Sequence, residues 1–535
     1  MNPKWLNAYE PGIFAHPEYP DLTLPEILRD IAGRYPAHPA LIYQDRIWSY
    51  QQFNELVSQM AHLLIGTGLK PGERVGVHLV NSPQFVIAYY GLLRAGAVAV
   101  PINPHSFGDD FHFIVRNCSL RALVTSHAAL AGLKLEQYTD LTVVVTDVQT
   151  PLDPAQNYPL DAPASVIRLE QALFGQPVSD PMIPIHPDDY ANLQYTGGTT
   201  GRSKGAILSH RNLVANAVQI RHWFKHVYQD GEGRFLSVIP YFHIYGLTTS
   251  MNFPVISASA MLLHSKFDLP ELIQSIEKHK PNLYMGVPAM YGAFIIRQEH
   301  PDLSSIKACM SGSATLPLAV QTRFEQLTGG KLVEGYGLSE ASPAVCCNPV
   351  YGVVKNGSIG VPLPGTEIKV VDPQTGAEIT NPHEVGELLV KGPQVMQGYW
   401  NQPEETAQTL QNGWLHTGDL VRVDEDGYVY IADRLKDMII SGGDKIYPRE
   451  VEDLLYTHPA VKEAAVIGVP HPLRGEVAKA FVVLKPESAV TEREVKQFCA
   501  EHLTKYKVPH QVQFVEALPR NSVGKILKQK LREIA

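Results

Sequence analysis

The chain has 535 residues, and its 45 Lys and Arg against 54 Asp and Glu give a net charge of −9 at pH 7. A chain of this length is too long for one simple core, so it predicts two or more domains. The acidic balance argues against nucleic acid as a partner, because no stripe of Lys and Arg is present to neutralise a phosphate backbone. With 44% apolar residues, the composition is that of a globular enzyme, and we expect its partners to be small molecules.

The cysteines and the apolar segments predict where the protein works. Five cysteines at irregular spacing fit neither a disulfide framework nor a zinc site, which favours a reducing, cytoplasmic environment. The first residues lack the apolar run of a signal peptide, and the apolar stretch from Phe85 to Val100 is interrupted by Arg94 and two glycines. We therefore expect no transmembrane segment, whereas a peripheral membrane contact and a homodimer both stay open.

Helical and strand-like periodicities alternate early in the chain. Apolar residues recur every three or four positions between Phe53 and Leu64, which predicts one buried face of a helix that ends near Gly68 and Pro71. The pattern at 74–80 then predicts a strand.

A second helix is predicted to begin after Ser82 and to reach about Ala95, because serine followed by Pro83 is a typical N-cap and first turn. Short apolar runs predict buried strands at 98–100, 122–125 and 141–145. Strands and helices that alternate in this way predict an α/β fold, in which parallel-rich sheets are covered by helices.

The segment from Tyr195 to Gly205, with the sequence YTGGTTGRSKG, is suited to binding phosphate. Glycines let consecutive backbone N–H groups face an anion, threonine hydroxyls add donors, and a lysine adds a mobile charge. The spacing differs from the Walker loop, since two residues separate the glycine from the lysine, and such a loop alone is more often a surface turn. The segment predicts a nucleotide triphosphate site at Thr196, Gly197, Gly198, Thr199, Thr200, Gly201 and Lys204.

Four further motifs follow in chain order. They are GYGLSE at 335–340, GWLHTGD at 413–419, DRLKD at 433–437 and PRNSVGK at 519–525. Together with the glycine loop, they resemble the adenylate-forming superfamily of acyl-CoA synthetases, firefly luciferases and peptide-synthetase adenylation domains. The loop is most similar to that of bacterial fatty-acyl-CoA ligases. One motif alone is weak, but five in this order over nearly the whole chain are specific.

The resemblance implies a two-step reaction. A carboxylate attacks the α-phosphate of ATP to give an acyl-adenylate and pyrophosphate, and the thiol of CoA then displaces AMP. It also implies that the loop threonines and Lys204 hold the β- and γ-phosphates, while Glu340 and Thr196 hold Mg²⁺ through oxygen ligands. Lys525 would stabilise the charge that develops between the carboxylate and the α-phosphate. His243, at the border of the adenylate and acyl pockets, is a further catalytic candidate.

The nucleotide's base and sugar are assigned by the same resemblance. Tyr336 would stack on adenine, Asp419 would accept from both ribose hydroxyls, and Arg434 would donate to the same sugar. Taken singly, such residues are more often packed aromatics, turn residues or solvated charges. The other implied ATP-binding positions are Gly312, Ser313, Ala314, Gly335, Gly337 and Ser339.

The resemblance also implies a division into domains. An N-terminal domain, 1–433, would bind ATP and the acid, and a hinge at 434–436 with Lys436 would connect it to a small mobile α/β domain, 437–535, which carries Lys525. Glycines let pantetheine approach the backbone, and the CoA-binding face is expected at Ser441, Gly442 and Gly443. In the second domain, strand-like runs occur at 463–469, 477–485 and 511–515.

The acyl pocket is expected among apolar and small residues, with Tyr241, His243, Gly246, Gly286 and Ala289 as its walls. A pocket without a charged partner favours a hydrophobic, medium- or long-chain fatty acid over an amino acid, whose ammonium group would need a carboxylate. Alternatives stay open. They are an aryl-CoA ligase for hydroxycinnamates or benzoates, a stand-alone adenylation enzyme that loads a carrier protein, a luciferase-type oxygenase and a nucleotide-binding regulatory protein without turnover.

Overall fold

The computed structural model of the chain describes residues 3–153, 166–196, 203–297, 301–520 and 526–535. In chain order, the strands up to residue 263 are β1 (Pro39–Tyr43), β2 (Arg46–Ser49), β3 (Arg74–His78), β4 (Val98–Pro101), β5 (Ala122–Ser126), β6 (Thr142–Thr146), β7 (Ile167–Arg168), β8 (Tyr190–Thr196), β9 (Lys204–Ser209), β10 (Arg234–Ser237) and β11 (Ala260–Leu263).

The later strands are β12 (Leu283–Gly286), β13 (Ala308–Ser311), β14 (Lys331–Gly337), β15 (Ala344–Cys347), β16 (Val361–Pro362), β17 (Glu367–Val371), β18 (Gly386–Lys391), β19 (Gly398–Tyr399), β20 (Leu410–Gln411), β21 (Trp414–Val423), β22 (Val429–Arg434), β23 (Ile439–Ser441), β24 (Asp444–Ile446), β25 (Val461–His471), β26 (Gly475–Leu484) and β27 (Gln511–Phe514).

The helices are α1 (Leu24–Arg34), α2 (Tyr50–Gly66), α3 (Pro83–Arg94), α4 (Gly108–Cys118), α5 (His127–Leu130), α6 (Leu169–Leu173), α7 (His210–Trp223), α8 (Ile244–Leu247), α9 (Phe253–Ile256), α10 (Leu269–His279), α11 (Pro288–Ile295), α12 (Leu318–Thr328), α13 (Pro403–Thr409), α14 (Pro448–Thr457), α15 (Glu492–His502) and α16 (Lys528–Glu533).

The early predicted elements are confirmed close to their predicted bounds. The helix expected around Phe53 is α2 and the strand expected at 74–80 is β3. The predicted N-cap is also present, because the side chain of Ser82 accepts a hydrogen bond from the Phe85 N–H at 3.2 Å, where α3 begins. The three short apolar runs that follow form β4, β5 and β6.

Two large sheets are mostly parallel. In the first, with strand order β16-β15-β14-β13-β12-β10-β11-β1-β2, the strands from β14 to β1 run parallel and the outer ones antiparallel. In the second, with strand order β19-β9-β8-β4-β3-β5-β6-β7, the strands from β8 to β7 are parallel. The predicted α/β class, with parallel-rich sheets covered by helices, is confirmed.

The largest hydrophobic core lies between these two sheets. It joins α2 and α3 to Leu41 of β1 in the first sheet and to Val75 and Val77 of β3 in the second. Every residue of α3 is buried, as expected for a helix with protein on all sides. The core therefore fixes the two sheets relative to each other.

Two smaller sheets complete the fold. An antiparallel sheet has the order β17-β18-β21-β20, with β22 paired to β21. The last sheet has the order β24-β23-β26-β25, with β27 paired to β26; α14, α15 and α16 pack against it, and it has hydrophobic clusters of its own. The three strands predicted late in the chain are β25, β26 and β27. The hinge at 434–436 and the mobility of the last part stay predictions.

All five cysteines are buried and none forms a disulfide. Burial raises the pKa of the Cys118 thiol to about 12 and that of the Cys499 thiol to about 11. The pKa values of the other three are raised as well, again mainly by burial.

Candidate active site

The candidate site lies at the carboxyl end of the first sheet. Strands β12, β13 and β14 are neighbours and parallel, with Gly286 opposite Ser311 and Ser311 opposite Glu334. Their ends lead into three of the predicted segments, around Gly286, Gly312 and Tyr336. Ligands of open α/β sheets bind at this edge because the connecting loops diverge there.

Tyr336, Asp419 and Arg434 lie together. The hydroxyl group of Tyr336 donates a hydrogen bond to Asp419 Oδ2 at 2.5 Å, and the Arg434 Nε is 3.4 Å from Asp419 Oδ1. The pairing of β21 with β22, in which Asp419 is opposite Arg434, holds the last two side by side. Residues predicted from three separate motifs thus form one polar cluster of an aromatic ring, a carboxylate and a guanidinium.

The backbone segments beside this cluster are closely packed. The Gly312 N–H donates to the Gly286 carbonyl at 3.2 Å, and a Cβ on Gly312 would lie 3.2 Å from the Tyr245 ring. Ser313 and Ala314 are exposed next to it, and Ser313 has a φ of +67°. The remaining predicted nucleotide residues of this region, all from the GYGLSE motif, are Gly335 and Gly337 at the end of β14 and Ser339 in the short helical turn that follows.

The predicted phosphate loop connects β8 to β9 as a hairpin. Thr196 ends β8 and Lys204 begins β9; the two residues are paired, and the Thr196 hydroxyl donates to the Lys204 carbonyl at 3.4 Å. Gly197, Gly198, Thr199, Thr200 and Gly201 lie outside the described residues. Strand β9 follows the loop, and α7 begins directly after β9 at His210.

Lys204 and Glu340 are linked through residues that the sequence analysis missed. The Lys204 ammonium contacts the Glu405 carboxylate and lies 5.3 Å from the centroid of the Tyr399 ring. The Tyr399 hydroxyl donates to Glu340 Oε1 at 2.7 Å. The lysine of the phosphate loop and the predicted metal ligand therefore belong to one polar chain. A carboxylate can accept from Tyr399 with one oxygen and still offer the other to a cation.

The predicted acyl-pocket residues follow β10 and β12. Tyr241 is buried and its hydroxyl donates to the Ser250 carbonyl at 3.0 Å, and His243 caps α8 by accepting from the Tyr245 N–H at 3.2 Å. Only glycine fits at 246, since a Cβ there would lie 2.4 Å from the Pro240 carbonyl oxygen. Gly286 ends β12, whereas Ala289 is exposed in the first turn of α11.

The predicted CoA face is a tight hairpin. Gly442 and Gly443, with φ values of +63° and +96°, form the turn between β23 and β24, and nothing lies within 4 Å of a Cβ built on Gly443. Ser441 is buried, whereas the Lys436 side chain, at the predicted hinge, reaches the surface. Partial burial and the charge of Arg434 lower the pKa of Lys436 to about 8. Lys525 lies outside the described residues.

A further contact joins the last part of the chain to the candidate site. The guanidinium of Arg449, in α14, donates to the hydroxyl of Thr315, three residues after Gly312, and the Arg449 N–H donates to Asp433 Oδ2 at 2.8 Å. Glu334 is buried nearby, next to the GYGLSE motif. An acidic residue directly before a glycine motif is noticeable in the sequence, but this position alone did not predict that Glu334 belongs to the site.

The sequence around Tyr399 and Glu405 gives only a weak indication that these residues belong to the site. Tyr399 follows Gly398 in the short strand β19, and Glu405 lies two residues after Pro403 in the first turn of α13. Neither pattern indicates a partner, because both contacts join segments that are about 60 and 200 residues apart in the chain. Only the pairing of β19 with β9 brings them to the phosphate loop.

Among the residues that the structure describes, no helix combines the length and apolar character needed to cross a bilayer. Within the same residues, no group of three or more His, Cys, Asp or Glu is arranged to hold a metal ion.

These features, at the carboxyl end of a parallel sheet, are those expected of the class of adenylate-forming enzymes. The chain belongs to the family of AMP-binding enzymes: residues 28–400 match that family, and residues 450–525 match the AMP-binding enzyme C-terminal domain. The superfamily membership predicted from the five motifs is thereby confirmed, and with it the class of acid–thiol ligases.

Known relatives cover nearly the whole chain. The chain is 42% identical over 547 residues to a long-chain-fatty-acid–CoA ligase of Bacillus subtilis (strain 168), covering 99% of this chain and 97% of the relative. It is 36% identical over 497 residues to a feruloyl-CoA synthase of Amycolatopsis sp, covering 90% of this chain and 93% of the relative. The crystal structure of ATP-bound MatB from Rhodopseudomonas palustris superposes with a TM-score of 0.84 at 29% identity, covering 96% and 99%.

Proposed function

We propose that the protein is an ATP-dependent acyl-CoA ligase that adenylates a medium- or long-chain fatty acid and transfers the acyl group to CoA, with release of AMP and pyrophosphate. The observation that carries the proposal is the polar cluster of Tyr336, Asp419 and Arg434, and the chain of Lys204, Tyr399 and Glu340 supports it. The similarity to the Bacillus subtilis ligase supports the fatty-acid substrate.

The polar cluster suits an adenosine. A carboxylate accepts from two neighbouring hydroxyl groups, so Asp419 would bind the ribose, with Arg434 as a second ligand of the sugar. The Tyr336 hydroxyl already bonds Asp419, which orients the carboxylate, and the Tyr336 ring would stack on adenine. Gly312, Ser313 and Ala314 would line the base, because this segment begins where β13 ends.

The phosphate end of the site would use the β8–β9 hairpin. Thr196 and Lys204 stand at the two ends of the loop, so a triphosphate bound by the loop would reach both. Glu340 and Thr196 offer hard oxygen atoms that fit Mg²⁺, which would offset negative charge on the phosphates when bound. Lys525 would supply a cation at the α-phosphate.

The last sheet would act as a mobile domain after the hinge at 434–436. One orientation would bring Lys525 to the α-phosphate for adenylation, and another would bring the Gly442–Gly443 turn to the adenylate for thioester formation. The open space beside Gly443 supports passage of pantetheine there. The match of residues 450–525 to a separate C-terminal domain supports the division.

A cytoplasmic location of the protein is part of the same proposal. Five buried cysteines without a disulfide are the state expected in a reducing cytoplasm, where ATP and CoA are available. The partners would be the acid, ATP and CoA.

The acid is tested by measuring AMP release for straight-chain acids from C2 to C18, branched acids and aromatic acids, each with and without CoA. We expect the highest catalytic efficiency with fatty acids of medium or long chain and dependence of multiple turnovers on CoA. The 36% identity to a feruloyl-CoA synthase favours one second candidate, an aryl-CoA ligase. A hydroxycinnamate preferred over every aliphatic acid would establish that candidate and contradict the fatty-acid proposal.

A further inference from the structure

Lys204 has a counter-ion from its own chain. Its ammonium contacts Glu405 Oε1, and the two side chains are only 25% and 36% exposed. The same ammonium lies over the Tyr399 ring, whose hydroxyl bonds Glu340. The cation at the end of the phosphate loop is therefore paired with a carboxylate at the place where nucleotide phosphates are proposed to bind.

The fold holds Glu405 in this position. Strand β19 pairs with β9, Tyr399 being opposite Ala206, and the Trp400 N–H donates to the Gly205 carbonyl at 2.8 Å. Helix α13 begins three residues after Trp400, and its Thr406 hydroxyl accepts from the Tyr399 N–H at 2.9 Å. The carboxylate is thus anchored through the strand that Lys204 itself begins.

A phosphate that binds Lys204 must compete with this carboxylate for the same ammonium. Two anions that share one ammonium repel each other, so the ion pair costs binding energy for any ligand that places a phosphate at Lys204. This loss of binding energy should differ between ligands, according to whether they place a phosphate at Lys204. ATP and pyrophosphate carry the phosphates that would reach the loop, whereas AMP carries only the α-phosphate.

We propose that Glu405 is an internal competitor of the terminal phosphates of ATP for Lys204, and that it weakens the binding of ATP and of pyrophosphate relative to AMP. The inference rests on the proposed function, in which Lys204 holds these phosphates. During turnover, the carboxylate would return to Lys204 when pyrophosphate leaves, which favours release of pyrophosphate while the adenylate stays bound.

The chain provides a matched control for this inference. Glu404 is the neighbouring residue in α13, is exposed, and loses the same charge in Glu404→Gln as Glu405 does in Glu405→Gln. The dissociation constants of Mg²⁺–ATP and of AMP are measured by calorimetry for wild type and both variants, and pyrophosphate is measured by displacement of ATP. Glu405→Gln is expected to tighten ATP and pyrophosphate by about two- to fivefold, the range for a partly exposed ion pair, and to leave AMP unchanged.

A further variant tests whether the effect passes through the lysine. In a Lys204→Gln background, the additional Glu405→Gln change is expected to have a clearly smaller effect on ATP, since the competition is already absent. Unchanged ATP affinity in Glu405→Gln, equal tightening in Glu404→Gln, or weaker ATP binding would each overturn the inference. A wild-type chain that binds neither ATP nor AMP would instead contradict the proposed function itself.

Discussion

Glu334 lies in β14, directly before the GYGLSE motif, and only 7% of it is exposed. Burial raises the pKa of its carboxyl group from the ordinary 4.5 to about 7, although the N–H of Leu316 and the charge of Arg449 act in the opposite direction. A group with this pKa is largely protonated at mildly acidic pH and ionised above neutrality. The stability of the protein should therefore depend on the protonation state of Glu334.

Proton binding determines whether the stability rises or falls with pH. The folded chain binds this proton more tightly than the unfolded chain, so the stabilisation is complete below pH 4.5 and is lost as the pH rises through about 7. At about 1.4 kcal/mol for each pH unit, the free energy of unfolding should fall by roughly 3 kcal/mol across this range on account of Glu334 alone. The change Glu334→Gln keeps the shape, removes the ionisation and should abolish this loss.

The assay is urea unfolding of wild type, Glu334→Gln and the exposed control Glu404→Gln at several pH values between about 5 and 8. The other carboxyl groups contribute equally to the pH dependence of stability in all three proteins, so their contribution is removed when the variants are compared with wild type. Relative to wild type, Glu334→Gln should gain roughly 2 to 3 kcal/mol on going from the lower to the higher pH, and Glu404→Gln should gain nothing. Parallel pH profiles for wild type and Glu334→Gln would refute the raised pKa as a determinant of stability.

Three further predictions concern the half-reactions and the acid. Lys525→Ala should lower acid-dependent exchange of pyrophosphate into ATP at least roughly 100-fold, while supplied acyl-adenylate is still converted to thioester; equal losses would argue against alternating domains. Gly443→Trp should leave the exchange intact and block thioester formation, and normal thioester formation would contradict the predicted CoA path. Catalytic efficiency should rise from acetate to at least octanoate, since each buried methylene contributes about 0.8 kcal/mol, and Ala289→Trp should shift the preference to shorter acids; a flat profile from C2 to C12 would refute the hydrophobic pocket.

The structure favours Ala289 over Gly286 as the position for a bulky substitution in the predicted acyl pocket. Gly286 was an equally good candidate from the sequence for narrowing the acyl pocket, but a Cβ there would lie 2.8 Å from the buried ring of Tyr291. A large side chain at 286 would disturb the core instead of the pocket. Ala289 is exposed, so its replacement tests the pocket without that cost.

Local pattern and chemistry predicted much of the fold. The serine before α3, the apolar spacing in α2 and the short apolar runs of β4, β5 and β6 each express a preference that acts within a few residues. The order of the strands in the sheets has no such local signal, because it arises from packing between distant segments. The unexpected β9 shows this: it is specified by its pairing with β8 and β19.

The same distinction applies to the site. Five site residues were predicted because they belong to motifs. The structure joins three of them, Tyr336, Asp419 and Arg434, in one polar cluster, and it links Lys204 to Glu340 through Tyr399. The partners of these residues were missed. A carboxylate such as Glu405, or an arginine such as Arg449, belongs to an ordinary surface helix until the fold brings it to a residue from another segment.

The burial of all five cysteines has a consequence for an enzyme proposed to work with a thiol. A cysteine forms a mixed disulfide by attacking oxidised CoA or oxidised glutathione, which releases one thiol, and it does so only as an accessible thiolate. Here the thiols are buried and their pKa values are raised, to about 12 at Cys118 and about 11 at Cys499. Oxidised CoA that accumulates during oxidative stress would therefore find none of the five cysteine thiols accessible on the folded protein. The enzyme would therefore escape thiol modification while CoA is oxidised, and thioester formation would resume once CoA is reduced.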